Sequence, residues 1–276
     1  MLYALCLMPY ARKEGLMKVA ILCGGKGTRL KERTESLPKP LIEIGNYPIL
    51  WHIMKIYAAQ GFNDFVLCLG YKGEAIKEYF MDDRLWRRHD FTLKLSDRKT
   101  KAELHHPKIE DWKITFVDTG EETNTGGRIK RIGHLIKEDS FMVTYGDGVA
   151  DIDIQKLLKF HLAHQKTGTV TAANPPSQFG LLQIEDDGRV SKFQEKPPMN
   201  QWINGGFFVF QKKFLESLKD NDILEKAPLE KLSQAGELMA YPHSSFWKCM
   251  DTFKDTVTLN ELWNSGKAPW KVWQNV

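Results

Sequence analysis

Between Lys18 and Asp147, short apolar runs rich in β-branched and aromatic residues alternate with segments of helical period, and this alternation limits the possible folds most strongly. The runs are KVAILC (18–23), DFVLCLG (64–70), KITFVD (113–118) and FMVTYGD (141–147), each the length of one buried strand. PILWHIMKIYAAQG, opened by Pro48 and closed by Gly61, EAIKEYF (74–80) and GGRIKRIGHLIK (126–137) read as helices between them. Strands that return to one sheet through helices lie parallel and are covered on both faces, so the expected fold is α/β around a mostly parallel sheet.

Asp82 to Pro107 is charged and irregular around FTLKL and reads as an insertion with short β structure. Past Ala150 the chain reads as strands with little helix between them: TGTVTAA (167–173), GLLQIEDDGRVSKFQEKP (180–197) with a hairpin signal at DDG, and GGFFVF (205–210). This predicts a mixed sheet with additional β structure on the C-terminal side. TFKDTVTLNELWNSGK (252–267) reads as a closing helix.

At 276 residues, 42% hydrophobic and 27% charged, the chain suits one globular domain. A net charge of +4 without blocks of one sign argues against a dedicated nucleic-acid or membrane-surface protein, and GRIKRIGHLIK reads as a solvated helix face. Cys6, Cys23, Cys68 and Cys249 form neither a C-x-x-C pair nor a zinc spacing, which fits a reducing cytoplasm. MLYALCLMPY lacks a basic leader and is too short to span a bilayer. Met17 stands directly before the first strand, so residues 1–16 are expected to be a dispensable extension and 17–276 a single catalytic domain.

The loop LCGGKGTRL (22–30) follows the first strand and presents backbone N–H groups to an anion, with Lys26, Thr28 and Arg29 in the same turn. It matches neither the dinucleotide fingerprint, since Leu30 replaces the third glycine, nor the P-loop pattern. Lys39 in PKP is expected in a stiff extended segment as a second cationic arm. Asp147 ends a strand at the edge where open α/β sheets bind ligands, and Gly146 and Gly148 leave room beside it. One or two carboxylates with substrate phosphates suffice for magnesium, and Asp251 in MDT is the second candidate; Asp151 and Asp153 read as helix caps. Glu195 and Lys196 in FQEKPP could form a surface ion pair or a ligand contact, and Asn204 with Gly205 opens a strand that a hydroxylated ligand could approach.

With these residues in view, LCGGKGTRL followed by PKPLIEIGNYPILWHIMKIY resembles the signature of the sugar-1-phosphate nucleotidyltransferases. GYKGEAIKEYF, VDTG, TGGRIKR, YGDGVADID, FQEKP, INGGFFV and MDT follow in the order of one branch, the glucose-1-phosphate cytidylyltransferases. The match runs from Met17 to Trp273. The resemblance implies a Rossmann-like nucleotidyltransferase fold and a magnesium-dependent reaction of CTP with α-D-glucose 1-phosphate, giving CDP-glucose and diphosphate for surface-polysaccharide synthesis. It also implies a homo-oligomer.

The same resemblance places Leu22, Cys23, Gly24, Gly25, Lys26, Gly27, Thr28 and Arg29 on the nucleotide, with Arg29 and Lys39 on its phosphates and Gly146 beside it. Asp147 and Asp251 would hold magnesium. Lys196 would meet the sugar phosphate, with Glu195, Asn204, Gly180 and Gly205 around the glucose. Cys23 and Lys26 depart from the usual loop, which carries Ala and an apolar residue there.

A phosphate monoester has a second pKa near ~6, so the attacking sugar phosphate needs no general base. Discriminating cytosine requires a donor to its ring nitrogen or O2 and an acceptor for its amino group. Arg128, with Thr125 and Gly126 beside it in TGGR, is the expected pyrimidine-selecting element, although an arginine can only donate. The alternatives left open are a uridylyl- or thymidylyltransferase and a non-catalytic sugar-nucleotide-binding regulator.

Overall fold

The computed structural model describes residues 17–27, 37–81, 90–95, 101–105, 110–177, 179–197 and 201–273, with the backbone alone for residues 91 and 101–104. Along the chain the strands are β1 Lys18–Leu22, β2 Glu43–Ile44, β3 Tyr47–Pro48, β4 Asp64–Leu69, β5 Phe91–Lys94, β6 Lys101–Leu104, β7 Lys113–Asp118 and β8 Ser140–Tyr145. There follow β9 Gly148–Ala150, β10 Gly168–Ala173, β11 Leu181–Ile184, β12 Val190–Gln194, β13 Ile203–Gln211, β14 Leu238–His243 and β15 Trp247–Cys249.

Seven of these form the central sheet in the order β14-β10-β13-β8-β1-β4-β7. β1 lies parallel to β4 and β8, β4 to β7, and β10 to β14; β13 runs antiparallel to both of its neighbours. The sheet is mixed and mostly parallel. Its strands are apolar on both sides because each side feeds a separate core. Val19 and Ile21 of β1 pack with the helix Ile49–Ala58, whereas Ala20 and Leu22 pack with Ile129, Phe208 and Phe214.

From β1 the chain steps outward to β4 and β7, then returns to β8 on the other side of β1. The order therefore reverses at β1, and a crevice opens beyond the carboxyl ends of β1 and β8. The loop starting at Cys23 and the Gly146–Asp147 turn both lie there.

Four local expectations need correction. Past Ala150 there is a full helix, Ile154–His164, with Asp153 as its cap, accepting from Lys156 N at 2.8 Å. Its buried positions Ile154, Leu157, Leu158 and His161 keep helical spacing, but a histidine on the apolar stripe obscures the period. The helix at 126–137 ends at Arg131 and a short 3-10 turn, Gly133–Leu135, follows. Its basic run is only partly a solvated face, since Gly127, Arg128 and Ile129 are buried. Asp151 caps no helix; it pairs with His243 at 3.1 Å and accepts from Ser245.

The insertion does carry short β structure, as the hairpin β5–β6. The closing helix is Phe253–Asn264, capped by Thr252 and Asp255. Among the described residues no helix is long and apolar enough to cross a membrane.

Candidate active site

At the crevice, Leu22, Cys23, Gly24, Gly25, Gly27, Lys39, Pro40, Thr125, Arg128, Tyr145, Gly146, Asp147 and Asp251 line one cavity of about 280 Å³. The strand order of the central sheet and one short ladder bring them together. The loop follows β1, Asp147 follows β8, and the β9–β15 ladder pairs Gly148 with Cys249, which carries Asp251 to Asp147. Met250 N donates to Asp147 O at 2.8 Å and closes this junction.

Lys39 occupies the centre of the charge arrangement. Its Nζ donates to Asp147 Oδ2 and Asp251 Oδ1, both at 2.6 Å, with only 12% of its side chain exposed. Burial opposes the ammonium, but the Coulombic pull of Asp147 and the two hydrogen bonds outweigh it and hold the lysine above its ordinary value. The expected extended segment is present only at Pro38; Lys39 itself opens a 3-10 turn, Lys39–Leu41, whose Leu41 N bonds Pro38 O at 2.9 Å. That turn aims the ammonium at the carboxylates.

A carboxylate oxygen of Asp147, one of Asp251 and Cys249 Sγ all lie within 4.8 Å of one another. Two carboxylates converging on one cationic point suit a hard divalent ion, which needs few protein oxygens when phosphates supply the rest.

The glycine loop is held from below by Arg128, which is 4% exposed. Its Nη1 donates to Leu69 O at 2.8 Å, Thr119 Oγ1 at 2.7 Å and Gly120 O at 2.8 Å. Its Nη2 donates to Gly24 O at 3.0 Å and Glu121 O at 3.1 Å. Both amino groups are thus engaged by the loops after β1, β4 and β7. The guanidinium lies so close that a Cβ on Gly24 would stand 2.1 Å from Nη1, and one on Gly70 2.4 Å. Glycine is needed at 24 to admit this clamp, a reason the motif alone does not disclose.

Further round the cavity, Thr125 Oγ1 donates to Glu225 Oε2 at 2.7 Å and Tyr145 Oη donates to Glu225 Oε1 at 2.5 Å. Asn204 Nδ2 donates to Tyr145 Oη at 3.1 Å, so Asn204 adjoins the lining through Tyr145. Burial, then the neighbouring Glu225 charge, pushes the Tyr145 hydroxyl up and keeps it a donor. Sequence reasoning missed Tyr145, Glu225 and Cys249. Tyr145 was detectable as the last residue of the strand that delivers Asp147; Glu225 lies in an irregular stretch with no motif.

Among the described residues, several expected site residues do not line the cavity. Lys26 is turned to Glu122, 2.5 Å away on the neighbouring loop, so its charge is already compensated there. Gly126 is a packing position, where a Cβ would meet Asp222 O at 2.8 Å. Glu195 and Lys196 form an exposed pair at 3.3 Å at the end of β12, with Gly180 at the start of the same hairpin beside Phe193 and Glu195. Gly205 O accepts from Trp247 Nε1 at 2.7 Å. Thr28 and Arg29, with the helix expected to follow the loop, lie outside the described residues, as does Cys6.

Residues 18–267 match the family pattern described as nucleotidyl transferase. The glucose-1-phosphate cytidylyltransferases of Salmonella typhi and Salmonella typhimurium are each 50% identical over 262 residues, covering 94% of this chain and 100% of theirs. The crystal structure of HddC from Yersinia pseudotuberculosis superposes with a TM-score of 0.67 at 25% identity, covering 90% of this chain and 100% of that one. The cavity draws its lining from LCGGKGTRL, PKP, TGGR, YGD and MDT, five of the segments that carry the sequence resemblance. The chain belongs to the nucleotidyl transferase family, in the company of the glucose-1-phosphate cytidylyltransferases.

Proposed function

We propose that the protein transfers CMP from CTP to α-D-glucose 1-phosphate, releasing CDP-glucose and diphosphate, with magnesium held by Asp147 and Asp251. The observation that carries this reading is the junction of three elements in one cavity: the glycine loop, the Lys39 ammonium and the paired carboxylates of Asp147 and Asp251. The likeness to relatives bearing the cytidylyltransferase name supports the choice of CTP and glucose 1-phosphate.

The chemistry asks for two polyanions to be brought in line at the α-phosphorus and for the departing diphosphate to be stabilised. Loop amides from Gly24 to Gly27, with Arg29, face the triphosphate in this reading, and Gly25, where a Cβ would meet nothing within 4 Å, leaves the backbone open to it. Lys39 offsets one of the two carboxylate charges and supplies a positive charge for the phosphates. Magnesium, when bound, would lower the charge of the α-phosphate and so ease attack by the sugar phosphate oxygen. No covalent intermediate is required.

Arg128 enters as the residue that positions the loop, because its amino groups are engaged by loop acceptors. In this reading the acceptor that cytosine's amino group calls for is Glu225, whose carboxylate accepts from the cavity-lining hydroxyls of Thr125 and Tyr145. Lys196, Glu195, Asn204, Gly180 and Gly205 remain the proposed sugar side. We also infer a cytoplasmic homo-oligomer, checked by sedimentation.

A diphosphate-release assay crossing CTP, UTP and dTTP with the 1-phosphates of glucose, galactose and mannose tests the proposal. CTP with glucose 1-phosphate should exceed every other pair; activity confined to another pair would replace it.

A further inference from the structure

We infer that Cys249 is a third ligand at the Asp147–Asp251 cation site, which makes it a mixed oxygen and sulfur site able to capture thiophilic divalent cations such as zinc or cadmium. The inference rests on the reading of Asp147 and Asp251 as cation ligands and adds a residue that no motif of the chain singles out.

The geometry begins with the extended chain around β15. Met250 is wholly buried in the core, so its neighbours Cys249 and Asp251 face the opposite way, together. Opposite Cys249 in the ladder stands Gly148, which has no side chain to intervene, and Asp147 precedes it. The ligand atoms of Asp147, Cys249 and Asp251 lie within 4.8 Å of one another. A tetrahedral zinc-type ion holds sulfur at about 2.3 Å and carboxylate oxygen at about 2.1 Å, which sets its ligand atoms about 3.5 Å apart. Side-chain rotations moving the ligand atoms by roughly 1 Å bring the three onto one ion.

The chemistry follows from ligand softness. Asp147 and Asp251 alone suit magnesium, whereas a sulfur ligand favours softer ions. On capture the sulfur–metal bond forms as the thiol proton passes to buffer. The Lys39 ammonium keeps its proton and leaves both carboxylates to the ion. Lys39 is therefore the resident competitor, bonded to each carboxylate at 2.6 Å.

Titrating the full-length protein with cadmium, while recording the ultraviolet thiolate-to-cadmium absorption band, tests this directly. One cadmium per chain should produce the band, Cys249→Ser should abolish it, and Asp147→Asn should weaken binding at least about tenfold. Lys39→Met should tighten cadmium binding by removing the competitor, and excess magnesium should suppress the band. Zinc-edge X-ray absorption of the wild type needs no variant and should find one sulfur at about 2.3 Å. A band that persists in Cys249→Ser, or zinc ligated by oxygen and nitrogen alone, would overturn the inference. Cadmium binding that needs Asp147 but forms no sulfur bond would sink the inference and leave the cation site standing. Binding indifferent to both aspartates would overturn the two together.

Discussion

Replacing Arg128 by methionine separates a loop clamp from a base reader. Methionine keeps much of the aliphatic volume and deletes five hydrogen bonds, three of them to buried acceptors. Leu69 O and Gly24 O retain backbone donors, Thr119 N at 2.9 Å and Tyr71 N at 3.2 Å, so neither is orphaned. The loss is then that of three charge-assisted bonds at ~1.5–3 kcal/mol each, partly offset by no longer burying a guanidinium. The net destabilisation is about 3 kcal/mol, which for a domain of this size lowers Tm by about 6–12 °C. Gly24 O is then held under the loop by the Tyr71 N–H without the guanidinium. A misplacement of about 1 Å can cost about a hundredfold, so kcat/KM should fall about 10–100-fold for CTP and UTP alike. Thermal melts and parallel diphosphate-release kinetics read both quantities. An unchanged Tm with a collapsed CTP:UTP ratio would refute the clamp and return Arg128 to the base.

Four further outcomes are expected. Lys39→Ala or Asp147→Ala should each lower turnover by about a hundredfold or more, measured as diphosphate release at saturating substrates; near-normal turnover would remove them from the site. Glu225→Gln keeps the shape of the rim but adds a donor, so it should reduce the preference for CTP over UTP more than it changes Tm; an unaltered ratio would dismiss Glu225 as the amino acceptor. His52 is buried and neutral, its pKa lowered to about 4 by burial, with Nε2 donating to Ile44 O and Nδ1 accepting from Trp270. The unfolded chain takes up this proton below pH ~6.5 and the folded chain does not. Stability should therefore fall by about 2–3 kcal/mol between pH ~6.5 and ~4.5, by urea melts, and His52→Gln should flatten that slope. Deleting residues 1–16 should leave activity and Tm intact, and an insoluble or inactive product would show that segment to be needed.

The sequence by itself determined the local pieces: the alternation of strand and helix, the glycine loop after the first strand, Asp147 at a strand end and the closing helix with its cap. These are legible because a strand or helix records its own period and its own stops within a few residues. It could not disclose which ends would meet. Lys39 reaches Asp251 across 212 positions because the β9–β15 ladder carries Asp251 to Asp147, and Arg128 reaches Gly24 across 104 because the ends of β1, β4 and β7 are neighbours in the sheet. Arg128 read as the pyrimidine-selecting element, because a basic helix segment gives no local sign of burial; packing turns its guanidinium inward onto the loop carbonyls. Cys249 carried no metal spacing in the sequence, since its companions are a residue two places on and another brought by the β9–β15 ladder. LCGGKGTRL, Asp147 and MDT name the chemistry through their residue types. The tertiary structure alone decides that their charges face one another, because a cavity at a switch point is made by strands that are far apart in the chain.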